Sequence, residues 1–212
     1  DYNKNNLIYQ EIKCGLGNQL LILFNLIYLS EKNNYKFIIS FREQSIDNKK
    51  YNFFNNINFS DKLDNKYIQY FHTIKEKDLS YNEIKLKNRN IILKGYFQSY
   101  KYWWDLKYKI KEYLYLDNNL INNIQNIYDK FNKPILSIHI RLGDYLTNPD
   151  KFCISSIHYY EKALKFYDLN NYQIILFSDN LILASQMLEP LNLNFINADK
   201  FYEDEESQLY ML

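Results

Sequence analysis

Two parallel α/β units are predicted for this chain of 212 residues, on three observations. Residues 7–40 read strand, glycine turn, helix, strand, and residues 135–196 read strand, helix, strand, helix, strand. No Gly/Ser-rich linker or internal repeat separates them. The best boundary is the stretch 131–134, ahead of Pro134, which divides the chain into units 1–131 and 132–212.

Leu7 to Lys13 is a short strand-like run ending at Cys14-Gly15-Leu16-Gly17-Asn18. A helix is expected from Gln19 to Glu31, where Leu20, Leu23, Phe24, Ile27 and Tyr28 recur at helical spacing. Tyr35 to Ser40 is the next strand. Residues 41–90 are polar and weakly periodic, and read as loops with short elements. Ile91 to Phe97 is strand-like, an aromatic turn follows at 98–104, and helices are expected at about 105–115 and 117–131. Ile135 to Ile140 is the clearest strand, followed by a turn at Arg141–Asp144. Helices at 156–168 and 181–189 then alternate with strands at 172–177 and 193–196.

The composition, 47% hydrophobic and 24% charged, belongs to a core-bearing globular protein. A net charge of +1, with no basic cluster interleaved with aromatics, argues against nucleic-acid binding. No apolar run is long enough for a transmembrane helix, and the first residues carry no secretory signal. Two cysteines exclude a disulfide scaffold, and a cytoplasmic location is expected. Asn, Lys, Ile and Tyr make up roughly half of the chain, as A/T-rich codons would produce. Against that background the 4 glycines and 3 arginines are informative.

Four segments can carry chemistry. Gly15, Gly17 and Asn18 lie between a strand and a helix, where backbone N–H groups can meet an anion; alternatively they form a tight turn with Asn18 as helix cap. Neither the dinucleotide fingerprint nor the phosphate-loop Lys is present. His139, Arg141, Gly143 and Asp144 follow a strand end, where open α/β sheets bind ligands. Arg141 offers a planar fork suited to phosphate, or else pairs with Asp144 to brace the turn. Ser178 and Asp179 follow the next strand and either bind hydroxyls or, with Asn180, cap the following helix. The run from Gly95 to Trp104, with Tyr96, Gln98 and Tyr100, is either a sugar-stacking platform or packing. The dispersed histidines and the isolated Cys14 and Cys153 offer no metal site. Cys14 is expected to be a small buried residue, and the acidic run Glu203–Glu206 a solvated loop or helix start.

In this order the segments resemble the α-1,2-fucosyltransferase family and its bacterial and viral relatives. The resemblance rests on Gly-Leu-Gly-Asn-Gln at 15–19, Gly-Tyr-Phe-Gln-Ser at 95–99, His-x-Arg-Leu-Gly-Asp-Tyr at 139–145, Tyr159-Tyr160 with Ala163, and Phe-Ser-Asp at 177–179. It implies a GT-B-like pair of Rossmann-type units with the donor in the cleft, GDP-fucose as donor, a glycan acceptor, no metal, and inversion at the anomeric carbon. It places Arg141 on the donor pyrophosphate, with Gly143, Ser178, Asp179, Gly15, Gly17 and Asn18 around the donor and Gln98, Tyr96 and Tyr100 toward the acceptor. The first unit would be the acceptor side and the second the donor side. Asp144, His139 and Asp179 are the candidates for the base.

The chain departs from the family at Leu142, where the family has a second Arg, a change that bears on donor affinity and sugar choice. Protein O-fucosyltransferases carry a related motif with one such Arg. The family also continues beyond a stretch similar to the end of this chain, so a C-terminally truncated donor unit is expected. Transfer of another GDP sugar, and a non-catalytic glycan- or nucleotide-binding relative, are the rival readings.

Overall fold

The computed structural model describes residues 6–41, 51–60, 62–87 and 89–211. The chain divides into two compact units, Asp1–Leu116 and Asp117–Leu212. Part of the stretch read as loop, residues 42–50, lies outside the described residues, as do residues 1–5 of the N-terminus.

In the first unit, β1 (Leu7–Ile12) leads into α1 (Leu16–Asn33) and back to β2 (Lys36–Phe41). The helix starts earlier than its apolar spacing suggests, because Gly15 is the cap and carries no side-chain bond to it. Asn18 is therefore inside the first turn and is not the cap. Asn34, in the left-handed region at φ 55°, closes the helix and returns the chain to β2. After α2 (Asn65–Ile68), β3 (Phe71–Lys75) and β4 (Asn90–Lys94) complete a four-stranded parallel sheet of order β2-β1-β4-β3. Strand β3 is one of the short elements expected in this stretch, its type left open by the sequence; it is an edge strand with His72 and Lys75 exposed, so only its partner β4 reveals it. The helix expected at 105–115 is reduced to 3-10 turns at Tyr100–Tyr102 and Trp104–Leu106 and the single-turn α3 (Ile110–Tyr113).

In the second unit, α4 (Asn118–Tyr128) begins at Asp117, whose carboxylate accepts from the Asn119 and Leu120 N–H groups. Its Ile124 packs with Ile175, Phe177, Ala198 and Met211, so this helix joins the second sheet and the division falls before it, upstream of 131–134. Then come β5 (Ile135–Ile140), α5 (Gly143–Thr147), α6 (Ile157–Leu164), β6 (Gln173–Ser178), α7 (Leu181–Leu188), β7 (Phe195–Asn197) and α8 (Glu205–Met211). The three strands are parallel in the order β5-β6-β7. Central β6 is covered on both faces: Ile174 and Leu176 enter one core cluster, Ile175 and Phe177 the other. That double burial is why it reads as an unbroken apolar run. The acidic run opens α8, with the Ser207 N–H on Asp204 Oδ1 at 2.8 Å. Among the described residues no helix is long and apolar enough to cross a membrane.

Strand register positions the sites. Ile140 lies opposite Ser178, so the turns that leave β5 and β6 emerge side by side. Likewise Lys75 lies opposite Lys94, and β1 runs next to β4.

Candidate functional site

The first unit brings together two of the four predicted segments, at the adjacent ends of β1 and β4. Gln98 Nε2 donates to Asn18 Oδ1 at 2.7 Å, and the Tyr96 hydroxyl lies 3.2 Å from Cys14 Sγ. Lys13 Nζ stands 4.8 Å from the centre of the Tyr96 ring. Cys14 itself is half-buried and has φ 68°, a left-handed conformation that a non-glycine residue adopts only under constraint. Gln19, fully buried, donates from Nε2 to the Cys14 carbonyl at 2.6 Å and supplies part of that constraint. A Cβ added at Gly15 or Gly17 would meet nothing within 4 Å. Packing therefore does not demand these glycines; they leave open space at the start of α1. Tyr100 is exposed and pairs edge-on with Trp104 at 5.5 Å.

Sequence reasoning missed one residue of this cluster. Glu76, just past β3, accepts the Tyr96 N–H at 2.7 Å and the Phe97 N–H at 2.8 Å. Nothing in a Lys-rich polar stretch distinguishes it; the signal was indirect, in the rare Gly95 opposite.

The second unit assembles the other two segments. The Asp179 carboxylate, at the end of β6, accepts the Leu142 N–H through Oδ1 at 2.8 Å and the Gly143 N–H through Oδ2 at 3.1 Å. A Cβ at Gly143 would lie 2.7 Å from Asp179 Oδ2, so a side chain there would push the carboxylate off the two amides. Arg141 donates from Nε to Asp144 Oδ1 at 3.1 Å, its NH2 group is 3.0 Å from the same oxygen, and Nε is 3.8 Å from Asp179 Oδ2. Its side chain is 47% exposed, with the guanidinium 5.7 Å from the centre of the Tyr145 ring. The brace with Asp144 is thus present, and it leaves much of the fork open to solvent. Tyr145 also stacks on Phe152 at 4.4 Å and lines a cavity of about 460 Å³ beside α5. Asn180 Oδ1 accepts the Leu183 N–H at 3.2 Å and caps α7, while Ser178 Oγ accepts the Asn180 N–H at 3.0 Å. Leu142 is 4% exposed and belongs to the core cluster with Ile140, Tyr160, Leu164 and Leu176.

His139 keeps solvent contact, yet the protein around it lowers its pKa below the ordinary histidine value. Partial desolvation is the main cause, opposed by the charge of Asp179 and reinforced by that of Arg141. Below the ordinary pKa of about 6.5 the unfolded chain binds more protons at this position than the folded one, so stability falls as pH drops through that range. Urea midpoints at about pH 5 and about pH 7.5 should differ less in His139→Gln than in the wild type. An unchanged difference would remove His139 as the cause.

Among the described residues no three His, Cys, Asp or Glu side chains are grouped to hold a metal ion.

No curated protein matches the chain. Three crystal structures of the fucosyltransferase NodZ are similar to it in fold. One, from Bradyrhizobium, is 12% identical over 98% of this chain and 82% of its own, with a TM-score of 0.50. A selenomethionyl form, also from Bradyrhizobium, is 12% identical with a TM-score of 0.51, and the match covers 98% of this chain and 84% of that one. The third, described as an α-1,6-fucosyltransferase co-crystallized with GDP, is 12% identical over 98% and 84% of the two chains, with a TM-score of 0.50. At such identity the likeness concerns the fold, a GT-B-like pair of Rossmann-type units with parallel sheets. The model of glycosyl transferase family 11 matches residues 7–189, which include all four site segments. On that match the chain, a fucosyltransferase-like glycosyltransferase, belongs to glycosyl transferase family 11.

Proposed function

We propose that this protein transfers fucose from GDP-fucose to a glycan hydroxyl, with inversion and formation of an α-1,2 linkage. The observation that carries the reading is Arg141, placed at the end of a parallel strand in a family-matched segment with its guanidinium half-open to solvent. The NodZ structure co-crystallized with GDP supports a guanine nucleotide as the donor's leaving portion. The second unit then serves as donor side and the first, with Gln98, Tyr96 and Tyr100, as acceptor side.

Departure of the diphosphate leaves negative charge that preorganised donors must meet. The Leu142 and Gly143 amides are already committed to Asp179, so Arg141 carries that charge and Gly143 serves by letting Asp179 approach. Ser178 orders the same loop through Asn180. Gly15, Gly17 and Asn18 leave space and N–H groups for the rest of the donor. Asp144 is engaged with Arg141 and Asp179 with the turn. His139, neutral at pH 7 by its lowered pKa, is the base this arrangement favours. No metal is required, because the positive charge comes from Arg141. The reaction is placed in the cytoplasm on the low cysteine content, two in 212 residues.

Calorimetric titration with GDP, GDP-fucose, GDP-mannose and UDP, with EDTA present, tests the reading. Binding of GDP and preferential binding of GDP-fucose over GDP-mannose are expected, with no UDP binding. Preference for GDP-mannose would reassign the sugar. Binding without turnover would point to a non-catalytic module, and no nucleotide binding by folded protein would overturn the proposal.

A further inference from the structure

Glu76 continues the ladder past β3, its N–H donating to the Lys94 carbonyl at 2.9 Å. From there its side chain crosses to the end of β4, where the two carboxylate oxygens take consecutive backbone donors, Tyr96 at 2.7 Å and Phe97 at 2.8 Å. The crossing fills the space where a Gly95 side chain would be: an added Cβ would lie 2.4 Å from Glu76 Cβ and 2.7 Å from Oε2. On its other side the turn is held by Gln10, 1% exposed, whose Nε2 donates to the Gly95 carbonyl at 3.0 Å.

The backbone so held is one the chain would not adopt unaided. Phe97 has φ 52°, left-handed and costly for a bulky residue, with its ring 1% exposed and edge-on to Tyr102 at 5.4 Å. Two charge-assisted bonds to successive amides are strong enough to maintain it. With those amides turned toward Glu76, the flanking side chains are directed to the other strand end, Tyr96 to Cys14 and Gln98 to Asn18. We infer that Glu76 is the positioning residue of this turn, fixing Tyr96 and Gln98 and thereby the orientation in which an acceptor sugar is held. The acceptor part of this inference rests on the proposed glycosyl transfer.

Glu76→Gln tests it, since the amide keeps the size of the side chain but offers one oxygen for two N–H groups. Both tryptophans, Trp103 and Trp104, lie in the first unit, so tryptophan fluorescence reports whether that unit remains folded. In a Cys153→Ser background, alkylation of Cys14 by iodoacetamide reads the Tyr96 contact directly. The expected result is alkylation about tenfold faster than in the same background with Glu76, at a fluorescence-monitored unfolding midpoint still well above the assay temperature. With lactose as acceptor probe, KM should rise about tenfold while GDP-fucose affinity stays within about twofold. Should Glu76→Gln fail to fold, Glu76→Asp, too short to span both amides, gives the same comparison. Unchanged alkylation in a folded variant, or loss of GDP-fucose affinity in step with KM, would overturn the inference. Failure of the transfer reading shows separately, as wild-type protein that binds no GDP-fucose, and the alkylation rate then still decides the role of Glu76.

Discussion

Arg141→Ala is expected to lower fucosyl transfer by about 10²–10³-fold and to abolish selective GDP binding, with little recovery in Arg141→Lys. The Nε and NH2 groups of Arg141 share one Asp144 oxygen, which fixes the plane of the fork and leaves its remaining donors free for phosphate oxygens. Lysine would place a single mobile charge there, with no plane to align and no flat face to set against the Tyr145 ring. The loss should come with little loss of stability. Both members of the Arg141–Asp144 pair are about half exposed, at 47% and 50%, and an ion pair that wet contributes at most about 1 kcal/mol. Arg89→Ala, at an exposed position in the first unit, is the control and should bind GDP like the wild type. Near-normal turnover by Arg141→Ala would eliminate the mechanism.

What was legible in the sequence, and what was not, follows from where each signal lies. Strand β6 carries a continuous apolar run because a central parallel strand is covered on both faces, whereas β1 and β5 mix apolar with polar residues and were legible through the scarce Gly and Arg of the turns after them. The strand character of β3 and the role of Glu76 were invisible for the complementary reason. An edge strand with exposed His72 and Lys75 has no apolar period, and a carboxylate in a Lys-rich stretch acquires meaning only once Lys75 is set opposite Lys94. The helix cap was misplaced at Asn18 because a residue of the capping type stood where glycine did the work, its side chain bonded instead to Gln98. Asp179 was read as a ligand contact or part of a helix cap. Its grip on the Leu142 and Gly143 amides depends on strand register, which one strand's sequence does not contain.

The Leu142 departure from the family motif has a physical meaning that the motif alone conceals. Leu142→Arg, which restores the family's second arginine, is expected to destabilise the second unit by about 3–5 kcal/mol without strengthening GDP binding. The Leu142 side chain is 4% exposed among Ile140, Tyr160, Leu164, Leu176 and Leu188, a set with no carboxylate to pair a guanidinium and only the Tyr160 hydroxyl as a side-chain acceptor. To reach water the new side chain would have to pull residue 142 outward, breaking its N–H bond to Asp179 at 2.8 Å and unseating the turn that presents Arg141. Stability and donor affinity should therefore fall together, read by scanning calorimetry and by GDP titration. Leu142→Met, which nearly conserves volume, should cost less than about 1.5 kcal/mol and leave GDP binding intact. If Leu142→Arg were instead as stable as the wild type and bound GDP more tightly, residue 142 would face the donor. The single arginine would then mark a weakened site, whereas a buried Leu142 leaves Arg141 as the side chain this turn presents to solvent.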